Sequence, residues 1–146
     1  MALPKVQSEP TPSYERKVIL DNEFVTLWYY PRLRIVHHQM LKAPSSDAFR
    51  ELLTRGADLV EAHRAAKWMS DDRANTVLRE ADEQWSDSVW LPRVLAGGFK
   101  YWAIVLPHAA IGKLNMHRLA ADHARRGIFS HIDTSPDDAF EWLRTR

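Results

Sequence analysis

The sequence predicts an α/β fold: a mixed sheet of about five to six strands with about four helices, an antiparallel hairpin first and β–α units after it. Three observations predict it. Two apolar runs, Ala65–Ser70 and Lys100–Leu106, bracket a helical segment, which is the pattern of a βαβ unit with parallel strands. Lys100–Leu106 is apolar at consecutive positions, as a strand covered on both faces reads. Upstream, two runs rich in β-branched and aromatic residues are separated only by Pro31-Arg32, which predicts a hairpin.

In chain order, residues 1–15 carry Pro4, Pro10 and Pro12 with few apolar groups and read as an extended arm. Residues 16–146 read as one domain. Val18–Leu20 is a short strand, Asp21-Asn22 a turn, Phe24–Tyr30 a second strand and Leu33–Leu41 a third. Ser45 or Ser46 caps a helix, because a side-chain oxygen there satisfies a free N–H of the first turn. Phe49, Leu52, Leu53, Gly56, Leu59, Val60 and His63 then recur at helical spacing.

The strand from Lys67 stops at Asp71-Asp72-Arg73. ANTVLREADEQ reads as loop, and a helix follows near Asp82–Ala96, which Pro92 kinks or restarts. Gly97-Gly98 stops it, and Lys100–Leu106 follows. Ala109–Arg126 is a helix with Ile111, Leu114, Leu119 and Ala120 expected inward, ended by Gly127. Ile128–Asp133 is the last strand. Ser135-Pro136-Asp137-Asp138 opens the last helix with a cap, a proline in the first turn and acids near the positive end of the helix dipole.

Composition narrows the function classes. The chain has 146 residues, 20 basic and 19 acidic, for a formal charge of +1. That balance argues against a nucleic-acid binder, which carries a basic face. Cysteine is absent, excluding a thiol nucleophile, a disulfide framework and a zinc–thiolate site. MALPKVQSEP lacks the apolar core of a signal peptide, and Tyr101–Leu106 is too short to span a bilayer. A cytoplasmic protein without a membrane span is expected.

Ligands in open α/β sheets bind beyond the carboxyl ends of the strands, here Asp71-Asp72-Arg73 and Pro107-His108. Asp71, Asp72 and Arg73 are the first candidate binding residues. They form a polar site able to hold magnesium or a partner, or a solvated turn in which Arg73 pairs one acid. Trp85, Trp90 and Arg93 are the second candidates. They form an exposed anchor cluster, since Trp and Arg dominate interface hot spots, or they fold onto the sheet.

The seven histidines lack chelating spacing. His37 and His38 are strand neighbours facing opposite ways, and His117 and His123 lie on different helix faces. No HExxH, GxSxG or glycine-rich phosphate loop is present. No catalytic residue, metal site or cofactor is assigned.

The segments KWMSDDRAN, EQW and WLPRVLAGGFKYWAIVLP, in this order of elements, resemble the STAS/SpoIIAA-like superfamily of anti-sigma-factor antagonists, and within it a group of small bacterial single-domain proteins. The resemblance covers roughly Val18 to Leu143. It implies a SpoIIAA-like domain over 16–146 and a non-enzymatic protein-interaction or signalling module with an unidentified protein partner. In the phosphorylated antagonists a serine in an Asp-Ser-Ser-Gly-like turn takes the phosphate. This chain has Ser70-Asp71-Asp72-Arg73 there and no glycine, so no phosphosite is assigned. The alternative expectation is a small-ligand domain, for a lipid-like or other apolar molecule, with its pocket between aromatic strands and helices. An enclosed Trp-lined cavity would favour the ligand, a flat apolar patch the partner. A homodimer is expected from the abundant aromatics and the arm.

Overall fold

The computed structural model describes residues 14–75 and 78–146. The expected arm over 1–15 therefore lies outside the described residues, apart from Tyr14 and Glu15. Thr76 and Val77 of the expected loop lie outside them as well.

Six strands form one mixed sheet whose spatial order follows the chain. They are β1 (Lys17–Asp21), β2 (Val25–Tyr30), β3 (Ile35–Met40), β4 (Lys67–Asp71), β5 (Tyr101–Val105) and β6 (Phe129–Asp133). β1, β2 and β3 pair antiparallel, and β3 to β6 pair parallel. β4 and β5 each have strands on both sides, as their two-sided apolar character predicts.

The helices are α1 (Ser46–His63), α2 (Glu80–Trp85), α3 (Leu91–Gly97), α4 (Ala110–Ala124) and α5 (Pro136–Arg144). A single π-turn, Ser86–Trp90, joins α2 to α3, so four helical units result among the described residues. Each parallel crossover steps one strand in the same direction. Crossovers of one hand then place α1, the α2–α3 unit and α4 on the same face. Their apolar sides meet Val25, Leu27, Val36, Trp68, Trp102 and Ile104 in the larger core. α5 covers the other face, where Ala139 and Leu143 pack with Tyr30, Ile35, Met69, Ala103 and Val105.

Local chemistry sets the element ends. Ser45 caps α1 by accepting from the Ala48 N–H at 3.1 Å, and Ser135 caps α5 by accepting from the Asp138 N–H at 3.2 Å. Gly127 sits at φ 87°, past the end of α4, where a side chain would be strained.

Of three expectations set against the structure, two need correcting. First, helix begins at Glu80, inside the stretch read as loop. Asp82 explains this: it is 2% exposed and accepts from Ser46 Oγ at 2.7 Å and Arg50 Nε at 3.1 Å, fastening α2 to the start of α1. Second, of the two expectations for Pro92 the restart holds: α3 begins at Leu91 with Pro92 in its first turn, although no break in the chain direction is needed. The π-turn before it carries the chain through, with Leu91 N–H reaching back to the Ser86 carbonyl. Third, Ile111 and Leu114 point outward, 65% and 72% exposed. The inward stripe of α4 is Gly112, Met116, Ala120 and His123, rotated about one residue from the expected one. Gly112 sets that phase, because a Cβ there would stand 2.8 Å from Pro107 Cβ.

Candidate functional site

Side chains alternate along a strand, and parallel pairing sets which of them stand level. His38 of β3 is level with Ser70 of β4, and Trp68 of β4 is level with Trp102 of β5. All four face the α1–α4 side. There they floor a cavity of about 440 Å³, roofed by Trp90, Met116 and His123. At that volume it is of small-molecule size.

The floor is a connected hydrogen-bond network. The Trp68 indole N–H donates to His38 Nδ1 at 3.0 Å. An indole N–H can only donate, so Nδ1 must be the accepting nitrogen of a neutral ring. His38 then carries its proton on Nε2 and donates it to Asp72 Oδ1, 2.9 Å away. His38 and Asp72 are 5% and 4% exposed. Beside them the Trp102 indole N–H donates to Ser70 Oγ at 2.8 Å. Trp102 also faces the ring of His123, centroids 4.9 Å apart. Burial is the main cause holding His123 below the ordinary histidine pKa, so its ring is kept neutral.

The mouth is charged but balanced. Arg118 reaches from α4 to Glu83 on α2, and Arg126, just beyond α4, pairs with Asp87 on the π-turn at 3.0 Å. Arg118 and Arg125 also bind Asp122, at 3.4 and 2.8 Å. Charge at the entrance is thereby neutralised, and the walls behind it are largely aromatic and apolar.

The three candidate residues at the end of β4 divide between the two sheet faces. Asp71 points to the α5 side, 3% exposed, where Arg73 grips it through Nε at 2.9 Å and Nη2 at 2.8 Å. That pairing raises the Arg73 pKa above its ordinary value. Asp72 points the opposite way, into the cavity. Successive strand positions keep the two carboxylates apart, so they do not converge on one magnesium ion.

The second candidate group is also split. Trp90 is 8% exposed and its indole N–H donates to the Leu53 carbonyl at 2.9 Å, so it belongs to the core and the cavity roof. Trp85 is half-buried beneath the Arg50 guanidinium, 5.2 Å from the ring centroid. Arg93 forks onto Glu61 and Asp58 of α1 and ties α3 to it.

Sequence reasoning singled out Asp72 and Trp90 but missed His38, Trp68, Ser70, Trp102 and His123 as partners in one site. A usable signal was present: His38 and Ser70 are polar interruptions in strands whose same-face neighbours are apolar. Their level placement depends on strand register, which no local pattern encodes.

On the opposite face His37 lies within reach of the Tyr30 hydroxyl, 3.2 Å from its Nδ1, and Arg16 donates to that hydroxyl at 3.3 Å. Burial, helped by the neighbouring His38, lowers the His37 pKa to about 3. Among the described residues no helix is long and apolar enough to cross a membrane. Comparison with protein-family models, with curated proteins and with solved structures gave no match to this chain.

Proposed function

We propose that this chain is a small-molecule-binding domain, of STAS/SpoIIAA-like descent, whose ligand occupies the cavity floored by His38, Trp68, Ser70 and Trp102. The observation that carries the reading is the cavity itself: about 440 Å³ of space among aromatic walls, with a few fixed polar groups at its floor. Sites for small organic ligands have that make-up, apolar area for affinity and sparse polar groups for orientation.

A binding role is favoured over a catalytic one by the state of His38. Ser70, His38 and Asp72 line the same cavity, the residue types of a nucleophile, a base and an acid. Yet both ring nitrogens are engaged, Nδ1 by Trp68 and Nε2 by Asp72, which leaves Ser70 no base.

The test is a thermal-stability screen of fragment-sized aromatics, repeated on Leu119→Trp, which fills the cavity from α4. Ligands that bind the folded state raise its melting temperature by mass action. Stabilisation of the wild type that Leu119→Trp abolishes is the expected result. Stabilisation equal in both proteins, or none in either, refutes the reading.

A second reading, the non-enzymatic interaction module, rests on Ile111 and Leu114. They stand three residues apart on α4, largely exposed, and make a small apolar stripe. A second copy of the chain is the partner to test first. Ultracentrifugation of the wild type beside Ile111→Asp/Leu114→Asp decides it: a dimer that the double variant disrupts supports this reading, and a wild-type monomer removes it.

A further inference from the structure

We infer that the cavity selects a small aromatic cation, an amine-bearing ring system, through the carboxylate of Asp72. The inference rests on the small-molecule reading above and names the ligand class.

The argument begins with Trp68. Its indole N–H occupies His38 Nδ1 and so prevents that ring from holding a second proton while the hydrogen bond persists. A protonated His38 would have neutralised Asp72. The neutral ring donates one hydrogen bond to Oδ1 and leaves the carboxylate its charge. Asp71, one residue earlier, has Arg73 as its counter-ion. Among the described residues, Asp72 is paired only with this neutral histidine, although it is 4% exposed. A buried carboxylate without a cation is costly, and it bears on the cavity lining. A ligand ammonium would supply the missing charge and a charge-assisted hydrogen bond.

The surroundings agree. Trp68, Trp90 and Trp102 line the same space, and indole is the aromatic ring that attracts cations most strongly. Among the described residues no Lys or Arg stands on the floor to repel a cation. The arginines at the mouth, Arg118, Arg125 and Arg126, are each matched to Glu83, Asp87 or Asp122. An anionic ligand would face Asp72, while the arginines that line the mouth are already matched to carboxylates. A neutral one would leave its charge unpaired.

Three probes sharing one ring separate charge from shape: tryptamine, tryptophol and indole-3-acetate carry positive, neutral and negative side chains. Isothermal titration of each into the full chain near neutral pH reads the order directly. Tryptamine is expected to bind at least about tenfold tighter than tryptophol, with indole-3-acetate weakest. Asp72→Asn, which keeps shape and removes charge, is expected to bring tryptamine to the level of tryptophol. Should that variant fail to fold, the wild-type order still decides. Equal binding of all three, or tightest binding of the acid, overturns charge selection and leaves the small-molecule reading standing. Absence of binding by all three overturns the inference too, and the fragment screen on wild type and Leu119→Trp then shows whether the cavity reading falls with it.

Discussion

The indole of Trp68 lies flush against the backbone of Gly56: a Cβ added there would stand 2.1 Å from Cη2 of the ring. α1 therefore approaches β4 as closely as it does only because position 56 has no side chain. The ring cannot easily yield, since its N–H is committed to His38 at one edge and Trp90 packs against it edge-on at 5.3 Å.

Gly56→Ala is accordingly expected to destabilise. Replacing glycine by alanine inside a helix normally gains up to about 1 kcal/mol. Overpacking a rigid core site costs about 1–3 kcal/mol, and a contact this short sits at the upper end of that range. The clash wins, for a net loss of about 1–2 kcal/mol. Urea unfolding checks it, and a midpoint equal to or above wild type would show that Trp68 can move aside.

Trp68→Phe tests the floor network. The phenyl ring fills most of the volume but cannot donate to His38 Nδ1. Leaving a buried acceptor unsatisfied costs about 1–3 kcal/mol. The loss should appear in urea unfolding at neutral pH.

Trp102→Ala is expected to cost about 3–5 kcal/mol, the usual range for deleting a large buried aromatic. Trp102 is 8% exposed, donates to Ser70 and packs on His123. An unfolding midpoint within error of wild type would contradict that placement.

Arg73→Ala separates a structural pair from a solvated turn. Exposed charges removed from a surface usually change stability by within about 0.5 kcal/mol. Here the partner, Asp71, is 3% exposed and would keep its charge without its counter-ion. A loss of about 1–3 kcal/mol is expected, moderated because the Arg73 side chain itself is 37% exposed. Arg73→Lys should recover part of it. No change in midpoint would mean that water solvates Asp71 readily.

Acid should weaken the fold through two histidines. Burial lowers the His37 pKa to about 3, against 6.5 ordinarily, and lowers that of His123 in the same direction. Between those two values the unfolded chain binds more protons than the folded one, so stability rises with pH there. The contribution is full above about pH 6.5 and declines as pH falls from there toward 3. Urea midpoints should therefore be lower near pH 5 than near pH 7.5, and His37→Gln should flatten that difference. A midpoint that rises on acidification contradicts the assignment.

The sequence by itself determined the elements and their class. Polar–apolar periodicity is a local property, so the stripe from Phe49 to His63, the two-sided run Lys100–Leu106 and the Ser135 cap are visible in the residues that form them. Where local pattern is weak, periodicity misleads. Apolar recurrence points to Ile111 and Leu114 as the inward side of α4, whereas the contact of Gly112 with Pro107 sets the phase. The start of α2 is invisible to local pattern because it is fixed by Asp82 reaching Ser46 and Arg50, residues more than thirty positions away. The candidate site was legible only in fragments. Asp72 stands out for lying at a strand end and Trp90 for being a tryptophan near an arginine. That Asp71 and Asp72 part to opposite faces follows from strand alternation. That His38 stands level with Ser70, and Trp68 with Trp102, follows from the register of three parallel strands joined by long crossovers. Register is a property of the assembled sheet, set by how the two cores fill, and only the tertiary structure decided it.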